Sequence, residues 1–171
     1  MTLDELNQLS GEAVAKEFET CCVSRRWING MVNARPFHSI DQLLNCADRL
    51  WQQASENDIR EAFEGHPRIG DVNTLKAKFA NTAKTAGHEQ SGMSLADEAV
   101  IQAMKTLNDE YYERFGYIFI VFASGKSARE MLDILKRRLR NDAETELKIA
   151  TTEQGKITRL RLRKLLGADH D

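Results

Sequence analysis

YIFIVFASGKSARE, residues 117 to 130, is the stretch on which the reading of the fold turns. Its first seven residues are apolar, rich in β-branched and aromatic side chains, and show no helical period. Gly125-Lys126-Ser127 follows and leads into a helical pattern. A strand, Gly-Lys-Ser and a helix in that order suggest a phosphate loop in a parallel α/β sheet. That motif needs a glycine five residues before Gly125, and Ile120 stands there. The loop therefore cannot wrap a phosphate in backbone amides as the motif does. No parallel-sheet pattern surrounds it either. Residues 117–123 are better read as one short, buried, extended segment with no obvious strand partner. Ser127 then caps a helix running to about Leu139.

Outward from that segment the chain reads as helices joined by short turns. Ser10 caps a helix with Val14, Phe18 and a cysteine inward, and Ser24 starts one around Trp27 and Met31 that ends at Arg35-Pro36. Ser39 with Gln42 has the spacing of a capping box, and Leu43, Ala47, Leu50, Trp51 and Ala54 share the face that follows. Ser55 caps a helix with Asp58 near its N-terminal dipole, Ile59, Ala62 and Phe63 inward, and its end at Gly65. A helix is expected over Asn73 to about Ala83, a polar loop over residues 84–93, and a second capping box at Ser94 and Asp97. The long helix after it carries Ala96, Ala99, Val100, Ala103, Leu107 and Tyr111, closed by Gly116. Asn141 or Asp142 opens the last helix, to Leu166. The expected fold is all-α: a single-domain multi-helix bundle over residues 1–171 with one short extended buried segment.

Bulk properties narrow the classes. The chain has 171 residues, 42% hydrophobic and 29% charged, as in ordinary soluble domains. Its net charge is −2, so no global field draws in nucleic acid or anionic lipid. No apolar run approaches the roughly 18 residues that a membrane span needs. The N-terminal MTLDELNQLSGEA does not read as a signal peptide. Three cysteines, Cys21, Cys22 and Cys46, without CxxC spacing read as reduced, buried thiols, and the expected compartment is the cytoplasm.

Three places carry candidate chemistry. In EGHPRIGD, residues 64–71, His66 directly precedes one of two prolines. The residue before proline is pushed out of the helical region, and proline fixes its own φ, so the imidazole sits on a stiff backbone at a helix C-terminus. That suits a general acid or base, while the alternative is a histidine that only caps the helix. Glu89-Gln90 lies in a Gly- and Ser-bearing loop, where a carboxylate and an amide can orient an imidazole or a polar substrate, or simply be solvated. His88 beside them offers no metal site of known spacing, because Gly92 stands where an HExxH motif needs its second histidine. In KITRLRLRKLL, residues 156–166, the cations Lys156, Arg159, Arg161, Arg163 and Lys164 cannot all face the same way. One pointing into a pocket would bind a carboxylate or a urea-like group bidentately.

GHPRIGD, EQSGM, YIFIVFASGKSAREML with RLRND, and EQGKITRLRL together resemble the OHCU decarboxylase family, in order and over nearly the whole chain. Enzymes of that family decarboxylate 2-oxo-4-hydroxy-4-carboxy-5-ureidoimidazoline (OHCU) to (S)-allantoin, the last step of urate degradation. The resemblance implies an all-α bundle, usually a homodimer, and a carboxy-lyase activity with no metal and no organic cofactor. It places the catalytic histidine on His66 with Pro67 after it, the active-site glutamate on Glu89 and its neighbouring glutamine on Gln90. The substrate-lining backbone falls on Phe119, Ile120, Val121, Phe122 and Ala123, and the arginine of the last motif on Arg161. Many members carry a serine three residues before the glutamate. Here Ala86 stands there, with Thr85 beside it, which leaves open a paralogue acting on another ureido or purine acid. Outside the resemblance the rival reading is a helical protein-interaction module docking through its basic last helix.

Overall fold

The structure is a computed structural model that describes residues 1–66 and 95–168, with side chains from residue 98 in the second stretch. Eight helices are described: α1 Leu3–Gln8, α2 Gly11–Glu19, α3 Arg25–Ala34, α4 Ile40–Gln52, α5 Glu56–Glu64, α6 Leu95–Phe115, α7 Ala128–Arg138 and α8 Ala143–Leu165. No strand occurs among the described residues, so the all-α expectation holds. The expected helix from Asn73, the loop of residues 84–93 and the box at Ser94 and Asp97 lie outside what is described. The chain divides into two compact units, Met1–His66 with Thr151–Asp171, and Pro67–Ala150.

In the first unit short polar side chains set where helices begin. Ser10, Ser24, Ser39 and Ser55 each accept a backbone N–H from three residues ahead, as the sequence predicts. The capping box is found one helix later than expected. Asp58 returns a bond to the Ser55 N–H at 3.1 Å, whereas Gln42 Oε1 reaches back to the His38 N–H at 2.6 Å, one residue beyond its own cap. Helix α1, six residues capped by Thr2 with Leu6 buried beneath it, is not expected from the sequence. Too short to show a period, it is held from outside: Arg35 Nη1 donates to the Leu6 and Leu9 carbonyls at 2.9 and 2.7 Å. The core of this unit gathers Phe18, Trp27, Met31, Leu43, Trp51 and Leu162. Trp51 Nε1 donates to the Thr151 carbonyl at 2.9 Å and so fastens α8 to α4.

In the second unit Gly116, with φ of 82°, closes α6, and the extended segment leaves it. The buried face of α6 is Val100, Ile101, Met104, Tyr111 and Phe115. The expected face had Ala99, which is exposed, with Ala103 and Leu107, which are half-buried. The larger Ile101 and Met104 remove more apolar area from water than alanines can, and the helix turns to bury them. Ser127 caps α7 as expected. Asp142, the second of the two candidates, opens α8: its carboxylate accepts the Thr145 N–H at 2.7 Å, which holds its pKa below the ordinary carboxylate value.

Candidate active site

His66 stands where α5 ends. Gly65 N–H bonds to the Ala62 carbonyl at 3.1 Å and His66 N–H to that of Phe63 at 3.2 Å, so the histidine's own backbone completes the last turn. Gly65 is helical in φ and its lack of a side chain serves packing. A Cβ there would lie 2.5 Å from Val23 Cγ2 and 2.6 Å from its Cβ. The ring is half-buried, and its Nε2 lies 2.5 Å from Gln154 Oε1 on α8. Gln154 is 1% exposed and donates its amide to Thr158 Oγ1 at 3.1 Å.

Gln154, Thr158 and Arg161 follow one another at i, i+4 and i+7 and so share a stripe of α8. Arg161 is half-buried and has no hydrogen-bond or ion-pair partner among the described residues. Its neighbours on the helix are engaged: Arg159 Nη1 holds Asp48 at 2.8 Å and Lys156 holds Glu153 at 2.8 Å. Arg161 acts on the thiols of Cys21 and Cys22, whose ionisation is nevertheless pushed up by burial, to about 11 and about 12. Both are inert thiols, buried like Cys46.

The extended segment belongs to the second unit. Ile120 is buried, and Phe119, Val121, Phe122 and Ala123 are half-buried. A buried ion network that the sequence reading did not find fixes it. Arg138, 5% exposed, donates Nη1 to the Ile120 carbonyl at 2.6 Å and holds the fully buried Glu146 through Nε at 2.9 Å and Nη2 at 2.5 Å. The Tyr111 hydroxyl also donates to Glu146, and burial followed by that bond raises its ionisation far above the usual phenol value. The Arg138 guanidinium lies 4.7 Å from the centre of the Phe119 ring. Lys126 Nζ folds back onto the Phe122 carbonyl at 2.8 Å, and Gly125 turns with φ of 76°. The lysine that a phosphate loop would present is thus committed to its own backbone. Val121 makes no hydrogen bond among the described residues.

Of the candidates from sequence, His66 and Arg161 are linked within the first unit through the α8 stripe, and Phe119 to Ala123 are placed in the second. Pro67, Glu89 and Gln90, with Ala86 and Thr85, lie outside the described residues. Gln154 and Thr158 were missed, although both lie in the EQGKITRLRL motif. Their spacing to Arg161 was a usable signal, because a polar stripe on the inner face of a helix needs partners.

An all-helical protein with a histidine at a helix end, held by an inward amide and accompanied by a half-buried arginine, has the parts of a small acid-base enzyme. The comparisons make the class specific. The OHCU decarboxylase family model matches residues 7–163, and the chain belongs to that family. It is 36% identical over 175 residues to the 2-oxo-4-hydroxy-4-carboxy-5-ureidoimidazoline decarboxylase of Amia calva, covering 97% of this chain and 95% of that protein. It is 32% identical over 149 residues to the uric acid degradation bifunctional protein TTL of Arabidopsis thaliana, covering 87% of this chain and 46% of the relative. The chain spans less than half the length of that relative and about a third of two bacillar bifunctional relatives, at 33% and 32%. A crystal structure of an OHCU decarboxylase in the presence of (S)-allantoin aligns with a TM-score of 0.72 at 32% identity, over 88% of this chain and 97% of that one.

Proposed function

We propose that this chain, acting over residues 1–171 as one domain, is a carboxy-lyase that converts OHCU to (S)-allantoin in urate degradation. The observation that carries the reading is the pairing of His66 with the Gln154–Arg161 face of α8, in a chain of this family. The substrate is a polar heterocycle whose carboxylate sits on a carbinol carbon. Breaking that C–C bond releases CO₂ and leaves an electron pair that the adjacent ring C=N delocalises. One proton delivered to one face of the carbon then completes allantoin. The scheme uses only side chains and backbone.

Arg161 supplies the cation for the anionic substrate, since its fork has no partner among the described residues. His66 delivers the proton, with Glu89 orienting the imidazole and Pro67 stiffening its backbone. Gln90 and the backbone of Phe119 to Ala123 fix the ring. The Ile120 carbonyl is taken by Arg138, so this role falls first to the backbone groups of Val121. The protein works as a cytoplasmic homodimer. Among the described residues no helix is long and apolar enough to cross a membrane.

The test is a coupled assay by circular dichroism. Urate oxidase and hydroxyisourate hydrolase generate the short-lived substrate in place, and the chain is added in catalytic amount. Fast appearance of optically active (S)-allantoin is expected, and His66→Ala should lower it at least about 100-fold with helix content intact. A rate no faster than the slow racemic background, from folded protein, would refute the assignment. Near-normal turnover by His66→Ala would remove that residue from the chemistry.

A further inference from the structure

We propose that Gln154 is a positioning residue for His66, its side-chain carbonyl holding the imidazole in the tautomer protonated on Nε2. The geometry assigns each end of the amide. Gln154 Oε1 faces the ring at 2.5 Å, and its amide nitrogen faces Thr158 Oγ1 at 3.1 Å. Thr158 could accept or donate at that contact, so by itself it does not orient the amide. With Oε1 on the ring side the amide nitrogen is left toward Thr158, and an amide nitrogen only donates, so Thr158 Oγ1 accepts there. Donation therefore runs one way, from the ring through the amide to the hydroxyl. With a carbonyl opposite Nε2, that nitrogen must carry hydrogen, and in the neutral ring the basic lone pair is on Nδ1.

The arrangement suits a ring that gives and regains one proton. Nε2–H donates to Gln154 in both the neutral and the protonated ring, so the partner need not move when the charge changes. A carboxamide orients without adding a charge. The support behind it is rigid: Gln154 and Thr158 are 1% and 5% exposed. Next to Gln154, Gly155 is pressed against Trp51, where a Cβ would lie 3.3 Å from Cδ1. One turn earlier the Thr151 carbonyl accepts the Trp51 Nε1–H. The α8 backbone is thus pinned on both sides of Gln154. Removing the outer hydrogen-bond partner of a metal-bound histidine costs about 10–100-fold in metal affinity or activity, and the same scale is taken for a partner that orients a catalytic ring.

The effect on turnover rests on the decarboxylase reading, while the tautomer does not. The experiment uses the full chain labelled with ¹⁵N in histidine. Ring-nitrogen correlation spectra of wild type, Gln154→Leu, Gln154→Glu and Thr158→Val are recorded beside the coupled assay. Wild type should show His66 as the Nε2–H tautomer. Gln154→Leu should spread the proton over both nitrogens and lower kcat by about 10–100-fold while KM changes much less. Gln154→Glu, which keeps an acceptor oxygen, should restore the tautomer and most of the rate. Thr158→Val should show a smaller loss in the same direction, and it carries the test if the leucine variant does not fold. An Nδ1–H ring in wild type, or a ring spectrum unchanged in Gln154→Leu, would overturn the proposal. A folded wild type without turnover would instead count against the decarboxylase reading, and the ring spectra would still decide the role of Gln154.

Discussion

Glu146→Ala puts the anchor of the extended segment to the test. The Glu146 carboxylate is fully buried and accepts from Arg138 Nε and Nη2, from the Tyr111 hydroxyl, and from Asn141 Nδ2 at 3.1 Å. Alanine would leave a guanidinium that is 5% exposed without a counter-charge, and two polar side chains without their acceptor. Removing one member of a buried ion pair destabilises a protein by about 3–5 kcal/mol. An orphaned buried hydroxyl adds about 1–3 kcal/mol alone, but water admitted to the site would serve both groups, so the terms do not add fully. The expected loss is about 4 kcal/mol, a large share of the roughly 5–15 kcal/mol that holds a domain together. For a chain of this size each kcal/mol moves Tm by about 2–4 °C, so Tm should fall by roughly 8–16 °C.

Urea unfolding followed by far-UV circular dichroism measures the loss, with Glu146→Gln as the companion. Glutamine keeps an acceptor for the tyrosine and removes the charge, so its loss should be clearly smaller than that of alanine. The double variant Arg138→Met with Glu146→Leu removes both charges and should recover much of the stability. It should not recover activity, because the Ile120 carbonyl then has no donor and the segment loses its tether. A loss below about 1 kcal/mol for Glu146→Ala is what an exposed ion pair gives, and would refute the claim that this pair is buried and holds the segment.

Arg161→Ala should raise KM far more than it changes kcat or helix content, and an unchanged KM in the coupled assay would place that arginine outside the substrate contact. Gly65→Ala forces a methyl group against Val23 and should destabilise by about 1–3 kcal/mol, read as a lowered urea midpoint. Gly65→Ala with Val23→Ala should restore most of it, and no rescue would mean that backbone shape rather than Val23 makes the glycine necessary. The thiols of Cys21 and Cys22 are raised by burial to about 11 and about 12 in the folded chain, against 9.0 ordinarily. Their stabilisation is therefore fully present below about pH 9 and is lost as pH climbs through those values, at up to about 1.4 kcal/mol per pH unit for each thiol. Urea midpoints measured across that alkaline range should fall more steeply in wild type than in Cys22→Ala, and parallel lines would refute the shift.

What could be read from sequence divides by the range of the interaction that decides it. Ser10, Ser24, Ser55 and Ser127 were legible as helix starts because a cap is settled within four residues. The pre-proline position of Arg35 likewise ends α3 by a local clash. Ser39 and Gln42 have capping-box spacing, yet the glutamine is long enough to reach past its cap to His38, so spacing alone misassigned the second bond. Helix α1 was hidden because its stability comes from Arg35, far along the chain. The same limit applied to residues 117–123. Their composition gave burial and lack of helix, but not what satisfies a lone extended backbone in a helical protein. The answer lies in Arg138, inside the RLRND stretch, and Glu146, on the next helix, which read singly as surface charges. His66 and Arg161 were visible as types of residue in suggestive settings, whereas the spacing of Gln154 to Arg161 signals a polar stripe whose partner, His66, is identified only once α5 ends against α8. A charge or amide on the inner stripe of a helix is therefore a statement about a distant partner: Gln154 points to His66, and Glu146 to Arg138 and Tyr111. Both interactions hold a functional candidate in place, one an imidazole and the other a backbone carbonyl. Among the described residues Gln154, Arg138 and Glu146 are thus explained by positioning as well as by stability, which is why removing them should affect turnover before it abolishes the fold.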